Sequence, residues 1–502
     1  MDAPRAAERS PLWSEGVSLP SLPALAQDFT VDVAIVGGGI TGLTAALLLQ
    51  RAGKSVAILE RYGVAAGVTG RTTAHLTEAL DTRYHMINRD FGEGGGRLAA
   101  LGTRQAIDRI AAFVREEKIE CDHGVVPGFL FSETEEDVPA LEKERDAARS
   151  AGLYVELTRG APLPFKVAAA LRFPNQAQIQ PTAYLKGLAR SFQEAGGKIF
   201  EGTSVTSFED GEVCQVVTDH GTVHARSVII AAHSPLTRVT LQTMVSHYSS
   251  YVIAFPGTLP RALFWDTEDP YHYIRSARIE GTDYVVIGGE DHKTGQETKT
   301  EERYEALLRY ARARFGVTAA THTWSSEVVE PVDGLPYIGK SPGQKNIYVA
   351  TGYSGNGITF GTLAGIMLDQ AVRGEEHPLA ALLDPSRIKP LASAHDYVTE
   401  NIDFPLHFVG DRLKPADASS VEEVGRGEGK LVRCGLEKLA VYRDEDGKVH
   451  ALSPVCTHMG GHVHWNSAEK SWDCPCHGAR FGVDGSVLHG PALTPLERKK
   501  VE

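Results

Sequence analysis

Hydrophobic and polar positions alternate with two periods along this chain. "VDVAIV" (Val31–Val36) is nearly continuously apolar. That pattern predicts a short strand buried on both faces of a parallel sheet. "GGGITG" follows as a turn, and "LTAALLLQRAG" then repeats its apolar residues at helical spacing, with Gly53 as the closing cap. "SVAILE" predicts a second strand that ends at Glu60, which completes one βαβ unit. In the middle, "DRIAAFVREEK", "ALEKERDAARSAG" and "EERYEALLRYARARFG" predict amphipathic helices. "SYVIAF", "YHYIRSARI" and "DYVVIGG" predict strands of an antiparallel sheet. "NIYVATG" runs into another glycine-rich turn, "YSGNG", and then a helix, "ITFGTLAGIMLDQAVRG". After Pro385 the pattern becomes irregular, and residues 386–412 read as a linker. "GKLVRCG", "LAVYRDEDG" and "VHALSPV" are short strands split by turn residues, so the last segment, 413–502, reads as all-β. Residues 1–30 are polar and proline-spaced, as in a surface arm.

A chain of 502 residues exceeds what one hydrophobic core supports. Its 51 glycines point to many tight turns and close backbone approaches. The formal charge of −13 disfavours nucleic acid and anionic membranes as partners. Six cysteines are too few for a disulfide scaffold, and three of them lie between Cys456 and Cys476, which suggests metal or redox chemistry. No basic patch precedes an apolar run at the N-terminus, and the longest apolar runs fall short of a bilayer span. A cytoplasmic location is the expectation.

Gly37-x-Gly39-x-x-Gly42 stands between a strand and a helix. The first glycine makes the turn, the second lets the backbone approach a pyrophosphate, and the third lets helix and sheet pack closely. The amides of the helix N-terminus then favour phosphate charge. Glu60 follows Gly42 by 18 residues, where an acid binds ribose hydroxyls. An acid there disfavours a 2′-phosphate and leaves FAD and NAD open. "TGYSGNGITFG" is a second place where small residues let the backbone touch a ligand as a helix begins.

"VDVAIVGGGITGLTAALLLQRAGKSVAILER" and "VEPVDGLPYIGKSPGQKNIYVATGYSGNGITFGTLAGIMLDQAVRG" resemble the FAD-dependent oxidoreductases of the D-amino-acid oxidase family. The resemblance spans residues 31–385 and implies an α/β architecture: a Rossmann-like FAD-binding domain assembled from separated pieces, and a substrate domain on an antiparallel sheet. The FAD pieces would be about 31–100, 175–235 and 325–385, and the substrate part about 101–174 and 236–324. By it, Gly37, Gly39, Ile40 and Gly42 hold the pyrophosphate, and Glu60, followed by Arg61, the adenosine ribose. Val205 lies against the adenine. Thr72 and Thr73 belong to "GRTTAHLT", the loop leading to the flavin ring, and Gly355, Asn356, Gly357 and Ile358 close over the pyrimidine side. His75 has the offset of a histidine that bonds the flavin covalently in some relatives. Tyr251, Tyr273, Arg275 and Tyr353 are the substrate-side candidates. No second Gly-x-Gly-x-x-Gly with a following acid occurs, so the electrons are expected from an organic substrate rather than NAD(P)H.

Cys456-Thr457-His458 and Cys474-Pro475-Cys476-His477 are separated by 15 residues. Cys-x-His and Cys-x-x-His on two tight loops resemble the Rieske motif, and zinc is the competing occupant. The resemblance implies a small all-β Rieske domain with a 2Fe-2S cluster, Cys456 and Cys474 on one iron, His458 and His477 on the other. "HGPAL" (489–493) looks like the proline loop that covers the cluster. Respiratory members clamp the two loops with a disulfide; here Cys476 stands at one position and Gly461 at the other, so no clamp forms. Their serine and tyrosine hydroxyl donors are matched by Ala479 and Phe481. Fewer hydrogen bonds to sulfur imply a low-potential centre. Only 25 residues follow His477, too few for the mononuclear iron domain of a Rieske oxygenase. The implied function is an FAD-dependent oxidoreductase that oxidises an amine or amino acid and passes electrons singly through the cluster to an acceptor, with an electron-acceptor protein as a candidate partner. The alternatives are a reductase that runs electrons from the cluster to the flavin, and a non-catalytic redox-sensing or electron-carrier module.

Overall fold

The structure is a computed structural model that describes residues 9–236, 239–387, 410–412, 414–435 and 437–500. Most of the expected linker, residues 388–409, lies outside the described residues.

Two large sheets and two small ones build the described residues. The first sheet has four parallel strands at its centre, in the spatial order Val56–Leu59, Phe29–Val36, Thr222–Ile230, Ile347–Thr351. Lys198–Phe200 extends it at one edge, parallel, and Tyr337–Lys340 at the other, antiparallel. The apolar run of Val33, Ala34 and Ile35 is buried on both faces, as parallel strands between layers require. Helices Ile40–Arg51 and Gly357–Val372 pack together against this sheet. The first of them starts three residues before the expected Leu43, because the glycine turn supplies its first helical turn.

The second sheet has nine strands, and "SYVIAF", "YHYIRSARI" and "DYVVIGG" pair antiparallel within it. One pairing is parallel, Leu263–Asp266 with Gly128–Phe131. Strand His75–Leu76 pairs with Ala177 and Gln178 and stitches the loop after the first βαβ unit onto this sheet. Helix Glu301–Phe315 covers one face over Tyr251, Ile253, Phe255 and Ile287. "DRIAAFVREEK" is the end of a longer helix, Tyr84–Glu116, which breaks at Gly92 (φ 74°, ψ 168°). Only glycine takes that conformation without strain.

The C-terminal segment is all-β, with strands Gly429–Cys434, Glu437–Arg443 and Val449–Leu452 in one sheet and four three-residue strands between His464 and His489 in another. Trp472, Phe481 and Val463 fill its centre. Among the described residues no helix is long and apolar enough to cross a membrane.

Candidate functional site

A long cleft runs between the two large sheets. At one end lies the Gly37–Gly42 turn. A Cβ on Gly42 would sit 2.0 Å from the Gly37 carbonyl oxygen, and one on Gly37 (φ +108°) would sit 2.5 Å from the Ala231 carbonyl. Backbone therefore packs on backbone, and the cleft floor is bare peptide. Gly39, Ile40, Glu60, Arg61, Thr203 and Val205 line this end. Glu60 accepts hydrogen bonds from the Gly38 amide (2.7 Å) and the Tyr62 amide (3.0 Å). Burial raises its carboxyl pKa, and the two amides oppose that rise.

The other end opens on the second sheet. Thr72, Thr73, His75, Gly355, Asn356, Gly357 and Ile358 all line the same cleft. Asn356 fixes the loops around it: its side chain accepts from the Asp81 amide (3.1 Å) and donates to the Ala79 carbonyl (3.2 Å). The Gly355 amide donates to the Asp81 carboxylate. His75 is buried, bonded to the Thr73 hydroxyl at 3.0 Å and flanked by Trp265 and Tyr273. Burial, and then the nearby Arg275 charge, push it down to about 3, so its imidazole is neutral.

Of the four substrate-side candidates, Tyr273 and Tyr353 line the cleft. Tyr353 bonds the Thr41 hydroxyl at 2.9 Å. Tyr251 does not reach it; it packs under helix Glu301–Phe315, against Tyr304 and His292. Side chains alternate across a strand, so its neighbour Ser250 faces the cleft instead. Arg275 is a structural cation. Its guanidinium donates to the carbonyls of Thr73 (2.8 Å), Ala74 (3.1 Å) and Ile179 (3.0 Å).

Sequence reasoning missed Asp81, Trp265, Tyr271, Ser250 and Asp291. Strands of the second sheet carry Ser250, Trp265 and Asp291, Tyr271 directly precedes another, and Asp81 comes in on a loop held by Asn356 and Gly355. Tyr273 and Ser250 share a hydrogen bond of 2.7 Å, and the buried Asp291 carboxyl lies within reach of Ser250. Asp291 Oδ1 is buried without a hydrogen-bond partner. Burial raises this carboxyl to about 7, against the opposing effect of the nearby Ser250.

The C-terminal domain carries the second set. Cys456 and Cys474 are buried free thiols on two facing loops; Cys474 Sγ would lie 3.2 Å from a Cβ on Gly461 of the loop that carries Cys456. The rings of His458 and His477 lie 5.0 Å apart. Among the described residues only Asp266, Glu268 and His272 bring three donor atoms within 4.8 Å of one another. The two thiols and two imidazoles therefore do not close on one ion, as tetrahedral zinc requires. Paired thiols beside paired imidazoles suit a dinuclear group. Gly461 faces Cys476, where an added Cβ would meet its Sγ at 2.6 Å, so the position opposite the thiol has no sulfur. Ala479 and Phe481 are fully buried.

The two sets meet. Leu488, His489 and Gly490 of the C-terminal domain line the cleft itself. The Arg61 guanidinium donates to the Val487 carbonyl at 3.2 Å, and the Tyr62 hydroxyl donates to the same oxygen at 2.5 Å. Buried Glu327, from the second sheet, binds Arg480 (3.4 Å) and His489 (3.1 Å). Arg480 also binds Asp473 at 3.0 Å. Tyr304 donates to Glu469, the Thr300 hydroxyl accepts the Ala468 amide, and the His464 ring bonds the Gly295 carbonyl. His464 is thus part of the docking surface.

Residues 32–371 match the model of the FAD dependent oxidoreductase family, DAO. The chain belongs to that family. Residues 414–500 match the Rieske [2Fe-2S] domain. FAD and a 2Fe-2S cluster are thus the cofactors of the two domains. The chain is 33% identical over 492 residues to YhfW of Bacillus subtilis (strain 168), which is named for a Rieske 2Fe-2S iron-sulfur group; the match covers 97% of this chain and 96% of that one. It is 26% identical over 369 residues to gamma-glutamylputrescine oxidoreductase of Escherichia coli (strain K12), covering 70% of this chain and 85% of that one. The flavin part shares its fold with the crystal structure of glycine oxidase from Geobacillus kaustophilus: TM-score 0.63, 22% identity, 72% of this chain and 99% of that one.

Proposed function

We propose that the protein oxidises an amine or amino acid at FAD and passes the electrons one at a time through the Rieske cluster to an acceptor. One observation carries this reading: His489 and Gly490 of the Rieske domain line the same cleft as the flavin-site residues. The oxidoreductase relatives named for gamma-glutamylputrescine and glycine supply the substrate class.

Gly37, Gly39, Ile40 and Gly42 would hold the pyrophosphate, Glu60 and Arg61 the ribose, and Val205 the adenine. Thr72, Thr73 and Gly355 to Ile358 would enclose the ring. Cys456, His458, Cys474 and His477 would hold the cluster. FAD supplies acceptance of a substrate hydride, and the cluster supplies one-electron carriage. The chain's own side chains bind, orient and handle protons. Tyr273, Tyr271 and Trp265 wall the substrate end. An amine donates hydride only after it loses its ammonium proton. The hydrogen-bonded pair Tyr273–Ser250 leads from that wall towards the Asp291 carboxylate, which would take it. The Rieske domain covers the cleft with Leu488, His489 and Gly490 and keeps water from the flavin site.

Anaerobic mixing of the purified protein with a panel of amines and amino acids tests the reading. Bleaching of flavin absorption, then the EPR signal of a reduced Rieske cluster, is the expected sequence. Cluster reduction before flavin, with a reduced donor protein and no amine, would instead establish the reductase direction.

A further inference from the structure

We propose that His247 and His233 form the bridge over which electrons cross between flavin and cluster. This rests on the reading that FAD and the cluster exchange electrons. His247 stands on strand Val245–Pro256 of the second sheet. Its ring touches the cluster loop directly: a Cβ on Gly478, the residue after His477, would lie 2.3 Å from His247 Cβ and 2.5 Å from its Cγ. Glycine at 478 is what lets the imidazole approach so closely. His247 has the cluster-ligand residues His477 and His458 within electrostatic reach, and His233 as well. His233 in turn lines the flavin cleft. Its backbone is pinned there, because its carbonyl accepts a 2.7 Å hydrogen bond from Thr351.

Both rings are buried, and His247 Nδ1 and His233 Nε2 have no hydrogen-bond partner. A buried polar atom left unpaired costs about 1–3 kcal/mol. One such atom belongs to a buried imidazole packed on the cluster loop and the other to a buried imidazole in the wall of the flavin cleft, positions where an apolar core residue would avoid that cost. The domain interface makes the bridge permanent. Arg480, Glu327 and His489 lock the Rieske domain on the flavin domain, so no domain swing is needed between reduction and re-oxidation. Each crossing removes one electron from the flavin, reduced by the substrate, and places it on a ferric iron of the cluster. A one-electron acceptor protein must empty the cluster before the second crossing.

The test uses the full chain with both cofactors bound and reduces the flavin with light and EDTA under anaerobic conditions. The readouts are the rate of cluster reduction, the EPR spectrum and midpoint potential of the cluster, and the FAD and iron contents. In His247→Leu and His233→Leu the rate should fall about 10- to 100-fold, the effect of losing a group that contacts metal ligands, with potentials and cofactor contents unchanged. His247→Gln, which keeps a polar side chain, should fall less and carries the test if the leucine variant does not fold. Unchanged rates, or slowing fully accounted for by a shifted midpoint potential, overturn the bridge. Absence of any transfer in the unaltered protein overturns the functional reading, and the bridge with it.

Discussion

Single residues set the chemistry of both sites. Asp291 is the clearest case, because burial holds its carboxyl near 7 just behind the Ser250–Tyr273 hydrogen bond. As the proton acceptor it works only when ionised, so substrate reduction of the flavin should speed up as pH rises through about 7. Asp291→Asn should remove that limb and slow the step about 10²-fold; stopped-flow flavin bleaching across pH 5 to 9, about the range of interest, reads both effects. An unchanged profile would move the base elsewhere. By the resemblance to respiratory Rieske domains, Ala479 would stand where those carry a hydroxyl donor. A serine there would add one hydrogen bond to the cluster, worth about 1 kcal/mol, or about 40 mV for one electron. Ala479→Ser should therefore raise the midpoint by that order from a value below zero. Redox titration followed by EPR measures it. A native midpoint well above zero would contradict the low-potential assignment.

At the scale of elements, the strand that carries Glu327 ties the two domains together. Arg480 lies between Glu327 and Asp473 and is fully buried. Burial alone would lower its pKa, but the two carboxylates outweigh that and hold it charged. Removing one partner of such a network leaves uncompensated buried charge, at about 3–5 kcal/mol. Arg480→Met should lower the melting temperature and open the flavin cleft to solvent. Flavin fluorescence quenching by iodide reports the second effect, and unaltered quenching would mean that the domain stays docked without this pair. No sequence pattern announces the lock. Arg480 is two residues before a strand end and 153 residues from Glu327, and each reads alone as an ordinary charge.

Over the whole molecule, legibility followed how local the signal was. The glycine turn, the cysteine and histidine loops and the small β domain are contiguous in sequence, and each constrains its own backbone. The proposed substrate wall was legible only in part: Tyr273 and Tyr353 were read from the sequence and line the cleft, whereas Ser250, Trp265 and Tyr271 were not, because that wall is assembled by register. Ser250 faces the cleft and Tyr251 faces the core, and periodicity alone does not say which face of a half-buried strand is which. The same holds for the buried pair His272–Asp266, whose members lie on adjacent antiparallel strands. That pair makes stability depend on pH. Burial lowers the His272 pKa, but Asp266 at 2.8 Å and Glu290 at 3.6 Å outweigh it and raise the group to about 9. A raised histidine pKa stabilises the fold fully below its unfolded value of 6.5, and the contribution fades as pH rises through about 9. The amount at stake is roughly 3 kcal/mol. Urea unfolding of the holoprotein should show stability falling between those two pH values. His272→Gln should be less stable at pH 6.5 yet nearly level with the unaltered protein at the upper end. Parallel pH curves for the two proteins would show that this histidine is not charged in the folded state.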